Sequence, residues 1–248
     1  MKTLVKLVLQ KMLGYKNYLF IFALYITASL KRNRKEGDFL HFLSLLPDHS
    51  TILDIGANLG AMTVHAARKL PGSDVFSFEP VPENLFTLRK LVRVFRLQNV
   101  TVFETALGDY NGTAEIILPE HKHVKFQGLS HIEGVEGAEG DTGIKYTVSM
   151  NRLDDMKELR NLSKPVSGIK IDVENYEYNV LEGARELLSK HKPIVYAELW
   201  DNKNRADCLQ LLTGLGYTVF VLENRNLVKF DINKHHTQNF FFKMLPEC

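Results

Sequence analysis

The amino-acid sequence predicts an α/β protein built on a doubly wound, mainly parallel β-sheet. From position 51 onward, short apolar runs alternate with stretches of helical periodicity, which is the order of βαβ units. The runs at 51–55 and 166–171 are largely apolar on both faces, as expected for strands covered by helices on both sides. The last apolar runs, from 219 to 243, leave no room for a crossover helix, so we expect an antiparallel edge there.

Seven strands make up the predicted sheet, with helices between most of them. We expect strands at 51–55, 74–78, 100–105, 168–171, 194–198, 217–222 and 238–243. We expect helices at 61–70, 82–95, 177–189 and 203–215. A turn at 223–226, followed by an apolar run at 227–230, predicts a hairpin at the C-terminal edge.

Composition fits one globular core with appendages. The chain has 248 residues, of which 45% are hydrophobic and 24% charged, and this excludes global disorder. Its net charge of +2 argues against a nucleic-acid-binding surface, so we expect no nucleic-acid partner. The two cysteines, Cys208 and Cys248, are too few for a disulfide framework and predict reduced thiols in a cytoplasmic protein.

Residues 1–48 are predicted to form a helical segment in front of a main domain at 49–248. Four lysines precede an uncharged run of 14 residues at 17–30, whereas a membrane span needs about 18–20. One interpretation is a pair of helices packed on the main domain. The other is that residues 1–35 form a basic amphipathic anchor at an anionic membrane surface. Its interfacial aromatics would be Tyr15, Tyr18, Phe20, Phe22 and Tyr25.

The connection at 106–166 is too long for a simple crossover. It contains two strand-like runs, 113–118 and 145–149, which predict a β-hairpin. A glycine-rich, acidic stretch at 133–143 separates them. Such a loop beside a parallel sheet is often a lid or a substrate loop. The alternative is an unstructured acidic insertion.

The most informative motif is residues 54–60 (DIGANLG), between a predicted strand and a predicted helix. Glycines there allow a tight turn and a close approach of a ligand to the helix N-terminus. The spacing G-x-x-x-G differs from the dinucleotide fingerprint G-x-G-x-x-G. Asp54 would repel a pyrophosphate but suits S-adenosylmethionine (SAM), which has an ammonium and a sulfonium and no phosphate. Gly56, Asn58 and Gly60 are the other expected cofactor contacts.

A second acid, Glu79, ends the next predicted strand, 19 residues after Gly60. An acid at that place can accept hydrogen bonds from both ribose hydroxyls of an adenosine group. Ala106 and Leu107, after the third strand, are candidate adenine contacts. Ribose recognition alone fits NAD or SAM, and the glycine turn with Asp54 favours SAM.

Three runs together resemble the FkbM family of SAM-dependent methyltransferases: 54–60, 78–80 (FEP) and 169–174 (IKIDVE). The resemblance implies the class I, Rossmann-like methyltransferase fold, with seven strands of which the last is antiparallel. It also implies methylation of an oxygen in sugars, polyketides or other secondary metabolites. The chain departs from the family at Asn175, where a glycine is usual. Asparagine tolerates a left-handed backbone, so we expect the turn to survive with its side chain near the substrate.

Three acids are candidate catalytic residues. At strand period two, Asp172 and Glu174 point the same way at the carboxyl end of the fourth strand, and Glu198 ends the next strand. Crowded carboxylates raise at least one pKa, which suits a proton acceptor near neutral pH. Alternatively, the acids bind the SAM ammonium or acceptor hydroxyls, or hold a divalent cation. Lys170, inside the strand, is expected to pair with an acid.

His131 is a further candidate, because a similar Gly–Ser–His stretch lies near the active site in the resembling family. It would contact the substrate or accept a proton. The sequence as a whole predicts a SAM-dependent O-methyltransferase acting on a hydroxyl of a saccharide or secondary metabolite, with a small-molecule or glycan acceptor as partner. The alternatives are an NAD- or nucleotide-sugar-linked Rossmann enzyme and a non-catalytic SAM- or nucleoside-binding module.

Overall fold

The structure is a computed structural model that describes residues 2–33, 36–121, 124–125, 127–135 and 143–245. Its helices are α1 (Lys2–Leu13), α2 (Tyr15–Ser29), α3 (Gly37–Leu45), α4 (Ala61–Lys69), α5 (Pro82–Val94), α6 (Lys157–Arg160), α7 (Glu177–Glu182), α8 (Arg185–His191) and α9 (Lys203–Gly214). Its strands are β1 (Thr51–Ile55), β2 (Asp74–Phe78), β3 (Val100–Phe103), β4 (Ala106–Leu107), β5 (Gly112–His121), β6 (Val124–Lys125), β7 (His131–Ile132), β8 (Gly143–Asn151), β9 (Val166–Ile171), β10 (Ile194–Glu198), β11 (Thr218–Glu223), β12 (Asn226–Lys229) and β13 (Asn239–Lys243).

The main sheet has the order β12-β11-β13-β10-β9-β1-β2-β3. Strands β3, β2, β1, β9 and β10 pair in parallel, and β13 pairs antiparallel with both β10 and β11. The predicted seven-stranded, doubly wound sheet with an antiparallel last strand is therefore confirmed. The predicted C-terminal hairpin adds β12 as an eighth strand at the edge.

The register of the parallel strands brings the predicted site residues to one edge. Ile55 pairs with Phe78 on one side and with Ile171 on the other, so β1, β2 and β9 end at the same level. Successive residues of β1 pack into hydrophobic cores on opposite faces of the sheet. Ile52 packs against the α3 and α4 side, and Leu53 and Ile55 pack against the α7 to α9 side.

The predicted helix at 177–189 is wrong in one respect, because it is broken into α7 and α8. The break falls at Gly183 and Ala184. A Cβ at Gly183 would overlap the carbonyl oxygen of Gly108, so the backbone that follows β4 packs directly against this point. The helix is therefore interrupted where these two backbones meet, at a glycine whose role in this contact the sequence does not reveal.

The N-terminal helices pack on the main domain, as the first interpretation predicted. Helix α2 buries Leu19 and Ala23 in one cluster with Val64 of α4 and Leu91 of α5. Tyr18 is buried in the same cluster, and Tyr15, Phe20 and Phe22 are partly buried against it. Of the five aromatics predicted to meet a membrane, only Tyr25 is exposed, at 68%. Within the described residues, we find no helix with both the length and the apolar character needed to cross a membrane.

The insertion forms a second, smaller sheet over the carboxyl ends of the main strands. Strands β5 and β8 make the predicted hairpin, with Ala114 opposite Val148. Strands β4, β6 and β7 pair with this hairpin. Much of the predicted loop at 133–143 lies outside the described residues, as does Cys248, and Cys208 is a buried free thiol.

Candidate active site

A cleft enclosing about 670 Å³ of empty space, open solvent included, lies over the ends of β1, β2 and β9, and we call it the main cleft. Eight of the eleven predicted site residues line it: Gly56, Asn58, Glu79, Ala106, Leu107, His131, Asp172 and Glu174. The sequence therefore predicted the position of the cleft, although three of the predicted residues, Asp54, Gly60 and Glu198, do not line it.

The glycine turn, residues 56–60, connects β1 to α4. Gly56 and Gly60 both have a left-handed backbone, with φ of 71° and 90°, and Asn58 has φ of 50°. A Cβ at Gly56 would overlap the carbonyl oxygen of Asp172, and a Cβ at Gly60 would overlap Leu88 of α5. Gly60 therefore allows close packing at the start of α4 and is not among the residues that line the cleft, and its predicted contact with a cofactor stays a prediction.

Asp54 also lies behind the glycine turn and does not line the cleft. Its carboxylate accepts a hydrogen bond of 2.6 Å from the Thr63 hydroxyl and lies 3.5 Å from the Lys170 ammonium. Lys170 donates to the carbonyl oxygen of Gly56 at 2.8 Å and lies 3.6 Å from Asp172. The expected pairing of Lys170 with an acid is thus present, and the lysine fastens the glycine turn to β9. Asp54 acts on the turn through this network.

Glu79 is buried at the floor of the cleft, where three donors hold its carboxylate. The backbone N–H groups of Asn58 and Val81 donate at 2.8 and 2.9 Å, and the Asn84 amide donates at 3.2 Å. Burial raises the pKa of Glu79 to about 7, against the opposing effect of these donors. The carboxylate thereby ties the glycine turn to the end of β2.

Ala106 and Leu107 of β4 line the cleft from the smaller sheet, in which His131 of β7 is buried. The Nδ1 atom of His131 lies 2.9 Å from the carbonyl oxygen of Leu129. Because a carbonyl oxygen only accepts hydrogen bonds, Nδ1 carries the proton in this contact. The neutral ring then keeps its lone pair on Nε2, which can accept a proton or a hydrogen bond from a ligand.

The acid turn, residues 172–176, follows β9 and brings Asp172 and Glu174 into the cleft. Burial, followed by the charges of Asp172, Glu198 and Glu177, raises the pKa of Glu174 to about 8. Burial and Asp172 raise the pKa of Glu198 to about 7, yet Glu198 does not line the main cleft, so its predicted place there is not supported. Glu198 influences the cleft through its charge.

The route by which Glu174 reaches the cleft differs from the predicted one. Strand β9 ends at Ile171, so strand periodicity does not govern the two acids. Glu174 and Asn175 instead adopt left-handed backbones, with φ of 51° and 70°. Asn175 thus takes the conformation predicted for it, but its side chain accepts a hydrogen bond of 2.6 Å from Asn202 and turns away from the main cleft.

Sequence reasoning missed Glu177, which holds the acid turn from behind. One oxygen of its buried carboxylate accepts a hydrogen bond of 3.1 Å from the Val173 N–H, and the other accepts one of 2.5 Å from Asn204. Burial is the main cause that raises the pKa of Glu177 to about 7. Its position at the start of α7 is a weak signal, because an acid is common in the first turn of any helix.

A second cavity, with about 1140 Å³ of empty space that includes open solvent, adjoins the main cleft. The two share Gly56, Asn58, Gly128 and Asp172. Its outer wall is made by the N-terminal segment, through Lys6, Phe22, Ile26, Ser29, Leu30, Asn33 and Glu36. The described residues contain no group of three His, Cys, Asp or Glu side chains arranged to hold a metal ion.

The parallel sheet with antiparallel β13, the glycine turn after β1 and the acid after β2 define a class I methyltransferase architecture. A family model described as the Methyltransferase FkbM domain matches residues 54–219. The chain belongs to this family of methyltransferases, which confirms the resemblance found in the sequence and counts against an NAD- or nucleotide-sugar-linked enzyme.

Individual relatives agree with this assignment. Methyltransferase sdnD of Sordaria araneosa is 28% identical over 204 residues, covering 73% of this chain and 79% of its own. The 31-O-demethyl-FK506 methyltransferase FkbM of Streptomyces tacrolimicus is 27% identical over 201 residues, covering 72% and 76%.

Two solved structures share the fold. Methyltransferase FkbM from Methylobacillus flagellatus superposes with a TM-score of 0.52 at 18% identity, over 80% of this chain, which spans only 45% of that one. SMU.1697c from Streptococcus mutans, solved with SAH, superposes with a TM-score of 0.50 at 12% identity, over 86% of this chain and 98% of its own.

Proposed function

We propose that the protein is a SAM-dependent O-methyltransferase that methylates a hydroxyl group of a small-molecule or saccharide acceptor. The observation that carries the proposal is one continuous cleft with a carboxyl group at each end. Glu79 is placed to bind the ribose of a nucleoside, and Glu174, whose pKa is raised, is placed to accept a proton. Methyl transfer to an alcohol needs both ends, because the cofactor must be held and the hydroxyl proton removed.

The residues of the cleft fit SAM. The amide oxygens of Asn58 and Asn84 are buried there without a hydrogen-bond partner, so they can accept from a ligand's hydroxyl or amino groups. Glu79 uses three of the roughly four acceptor positions of a carboxylate, which leaves one for a ribose hydroxyl. Three carboxyl groups line the cleft, those of Glu79, Asp172 and Glu174, and no lysine or arginine is among its described lining residues, so a pyrophosphate would find no cationic side chain there.

Bound SAM would supply an electrophilic methyl group on a sulfonium. The protein's part is to align the acceptor hydroxyl, exclude water and take up the proton. Glu174 suits the last task, because its carboxylate is half-buried and its pKa of about 8 gives it the basicity of a general base. Asp172, beside Lys170, contributes the neighbouring negative charge that raises this pKa.

One relative supports an oxygen acceptor. The Streptomyces tacrolimicus protein is named for an O-demethyl compound, 31-O-demethyl-FK506. In the present chain, the second cavity reaches Asp172 from the side of the N-terminal helices and is large enough to admit an acceptor. We therefore assign the Glu79 part of the main cleft to the cofactor. We assign the part around Asp172 and Glu174, which adjoins the second cavity through Asp172, to the acceptor.

Ligand binding and methyl transfer test this function separately. We expect SAM and SAH to raise the Tm of the full chain in a thermal-shift assay, and NAD to leave it unchanged. Transfer of a labelled methyl group from SAM should then be measured with a panel of alcohols and their deoxy analogues. Label in the alcohols alone supports O-methylation. Label in both, or stabilisation by NAD alone, would contradict the proposal, and SAM binding without any transfer would indicate a binding module.

A further inference from the structure

Charge is strongly segregated along this chain. The first 35 residues contain eight lysines and arginines and no acidic residue. Since the whole chain has a net charge of +2, residues 36–248 carry a net charge of −6. The N-terminal segment is therefore a cationic element on an otherwise anionic protein. Neither the cofactor cleft nor the acid turn accounts for this distribution.

Exposed apolar side chains concentrate on the same segment. Among the described residues, ten large apolar side chains are exposed, and five of them lie on α1 and α2. They are Val8, Leu9, Met12, Ile21 and Tyr25. These two helices make up about a tenth of the chain, so the exposure is not the scattered kind that any protein surface shows.

The exposed residues lie on the outward faces of the two helices. Ile21 and Tyr25 are four residues apart on α2, and Val8 and Met12 are four apart on α1, so each pair shares a helix face. The opposite face of α2 is buried against α4 and α5. Phe86 of α5 is also exposed and lies beside Lys16 of α2, and we call these six exposed apolar residues the N-terminal face.

Cations lie beside Phe86 and at the ends of the two helices. The Lys16 ammonium lies 5.3 Å from the centre of the Phe86 ring, and the Lys90 ammonium lies 5.9 Å from it. Lys11 is exposed on α1, and Lys31 and Arg32 are exposed just after α2. Apolar side chains flanked by lysines, with no acid in the segment, match a surface that presents both hydrocarbon and negative charge.

We propose that the N-terminal face docks on an anionic lipid membrane, with its apolar side chains at the headgroup level and its lysines near the lipid phosphates. The aromatics Tyr18, Phe20 and Phe22 take no part in this contact, because they pack against the main domain. Phe22 and Ile26 of α2 also line the second cavity, so docking would hold that cavity within about one helix diameter, ~10 Å, of the lipid.

Vesicle co-sedimentation of the full chain tests the proposal. The probes are vesicles of equal parts phosphatidylcholine and phosphatidylglycerol, and vesicles of phosphatidylcholine alone. We expect binding to the first and at least tenfold weaker binding to the second, with loss of binding at high salt. Ile21→Glu should weaken binding roughly tenfold or more, because it replaces an inserted apolar group with a charge that anionic lipid repels. Each lysine removed, as in Lys11→Gln, should cost about fivefold.

A matched control is available in Ile232, which is 69% exposed and lies far along the chain from the N-terminal helices. Ile232→Glu introduces the same change and should leave vesicle binding intact. Equal binding by wild type and a folded Ile21→Glu variant, shown by unchanged circular dichroism, would overturn the proposal. The proposal would also be overturned if the wild type did not bind anionic vesicles. If the wild type then formed a dimer that Ile21→Glu dissociates, the face would be an interface between copies.

Discussion

Two neighbouring turns of this protein both lead the chain out of the sheet through left-handed residues, but they use different residue types to do so. The glycine turn follows β1 and the acid turn follows β9, and the two strands are paired side by side. Each turn must reverse out of the sheet through left-handed residues. The glycine turn uses Gly56 and Gly60, with φ of 71° and 90°, together with Asn58 at 50°. The acid turn has no glycine and uses Glu174 and Asn175, with φ of 51° and 70°.

The difference follows from what each turn presents to the cleft. The glycine turn presents its backbone, and Gly56 lies so close to Asp172 that a side chain would overlap it. The acid turn presents carboxylates, so it needs side chains where glycine would be the relaxed choice. A left-handed residue with a side chain costs roughly 1–2 kcal/mol. Glu177 and Asn202 offset this cost by hydrogen bonding to the turn from outside.

The largest expected effect concerns the chemistry of the acid turn. Glu174→Gln keeps the shape of the side chain but removes the proton acceptor, so we expect kcat to fall about 10²–10⁴-fold. The affinity for SAM, measured by calorimetry, should change little. Glu198→Gln is the control, because Glu198 lies outside the cleft and should affect kcat far less. If both variants lost turnover equally, the distinction drawn between these acids would be wrong.

The pH profile of kcat tests the same assignment. Because the pKa of Glu174 is about 8, the fraction in its basic form grows as the pH rises. Turnover should therefore reach about half its maximum near pH 8 and level off roughly one pH unit above that. The Glu174→Gln profile should lack this inflection. A wild-type kcat that stayed constant from about pH 6 to about pH 9 would exclude Glu174 and leave Asp172 as the proton acceptor.

A change at the glycine turn, by contrast, should weaken the binding of SAM. Glu79 holds the Asn58 N–H and faces the cleft, so Glu79→Gln weakens both the turn and the contact with ribose. Loss of a hydrogen bond to a charged group costs about 1.5–3 kcal/mol, which predicts roughly 10–100-fold weaker SAM binding by calorimetry. Glu104→Gln is the control, since Glu104 is exposed and pairs only with Arg89 among the contacts described. SAM affinity that Glu79→Gln left unchanged would contradict this role.

The two turns also differ in how far sequence could predict them. The glycine turn and Glu79 are local motifs at strand ends, and the strands 51–55 and 74–78 have the predicted bounds. Lys170 could be assigned an acidic partner because a buried cation in a strand needs one. Even here, the motif did not reveal that Asp54 lies behind the turn rather than among the residues that line the cleft, and its contact with a cofactor stays a prediction.

The acid turn and the N-terminal segment depend on contacts that are distant in sequence. Asn202 and Asn204 lie 27 residues after the groups they bind, Asn175 and Glu177, and no local pattern relates these positions. In α2, nearly every position between 17 and 30 is apolar or aromatic, so periodicity could not separate the buried Tyr18 from the exposed Tyr25. Only the packing of α4 and α5 decides which face is covered.

The smallest expected effect isolates the backbone cost of the acid turn. Asn175→Gly and Asn175→Ala both remove the hydrogen bond with Asn202, so they differ mainly in their tolerance of φ near 70°. Glycine adopts this conformation freely and alanine does not, so the alanine variant should be less stable by about 1 kcal/mol. For a chain of this size, this corresponds to a Tm about 2–4 °C lower in differential scanning calorimetry. Equal melting temperatures would mean that Asn175 leaves the left-handed region, and the acid turn would then not carry the strain that distinguishes it from the glycine turn.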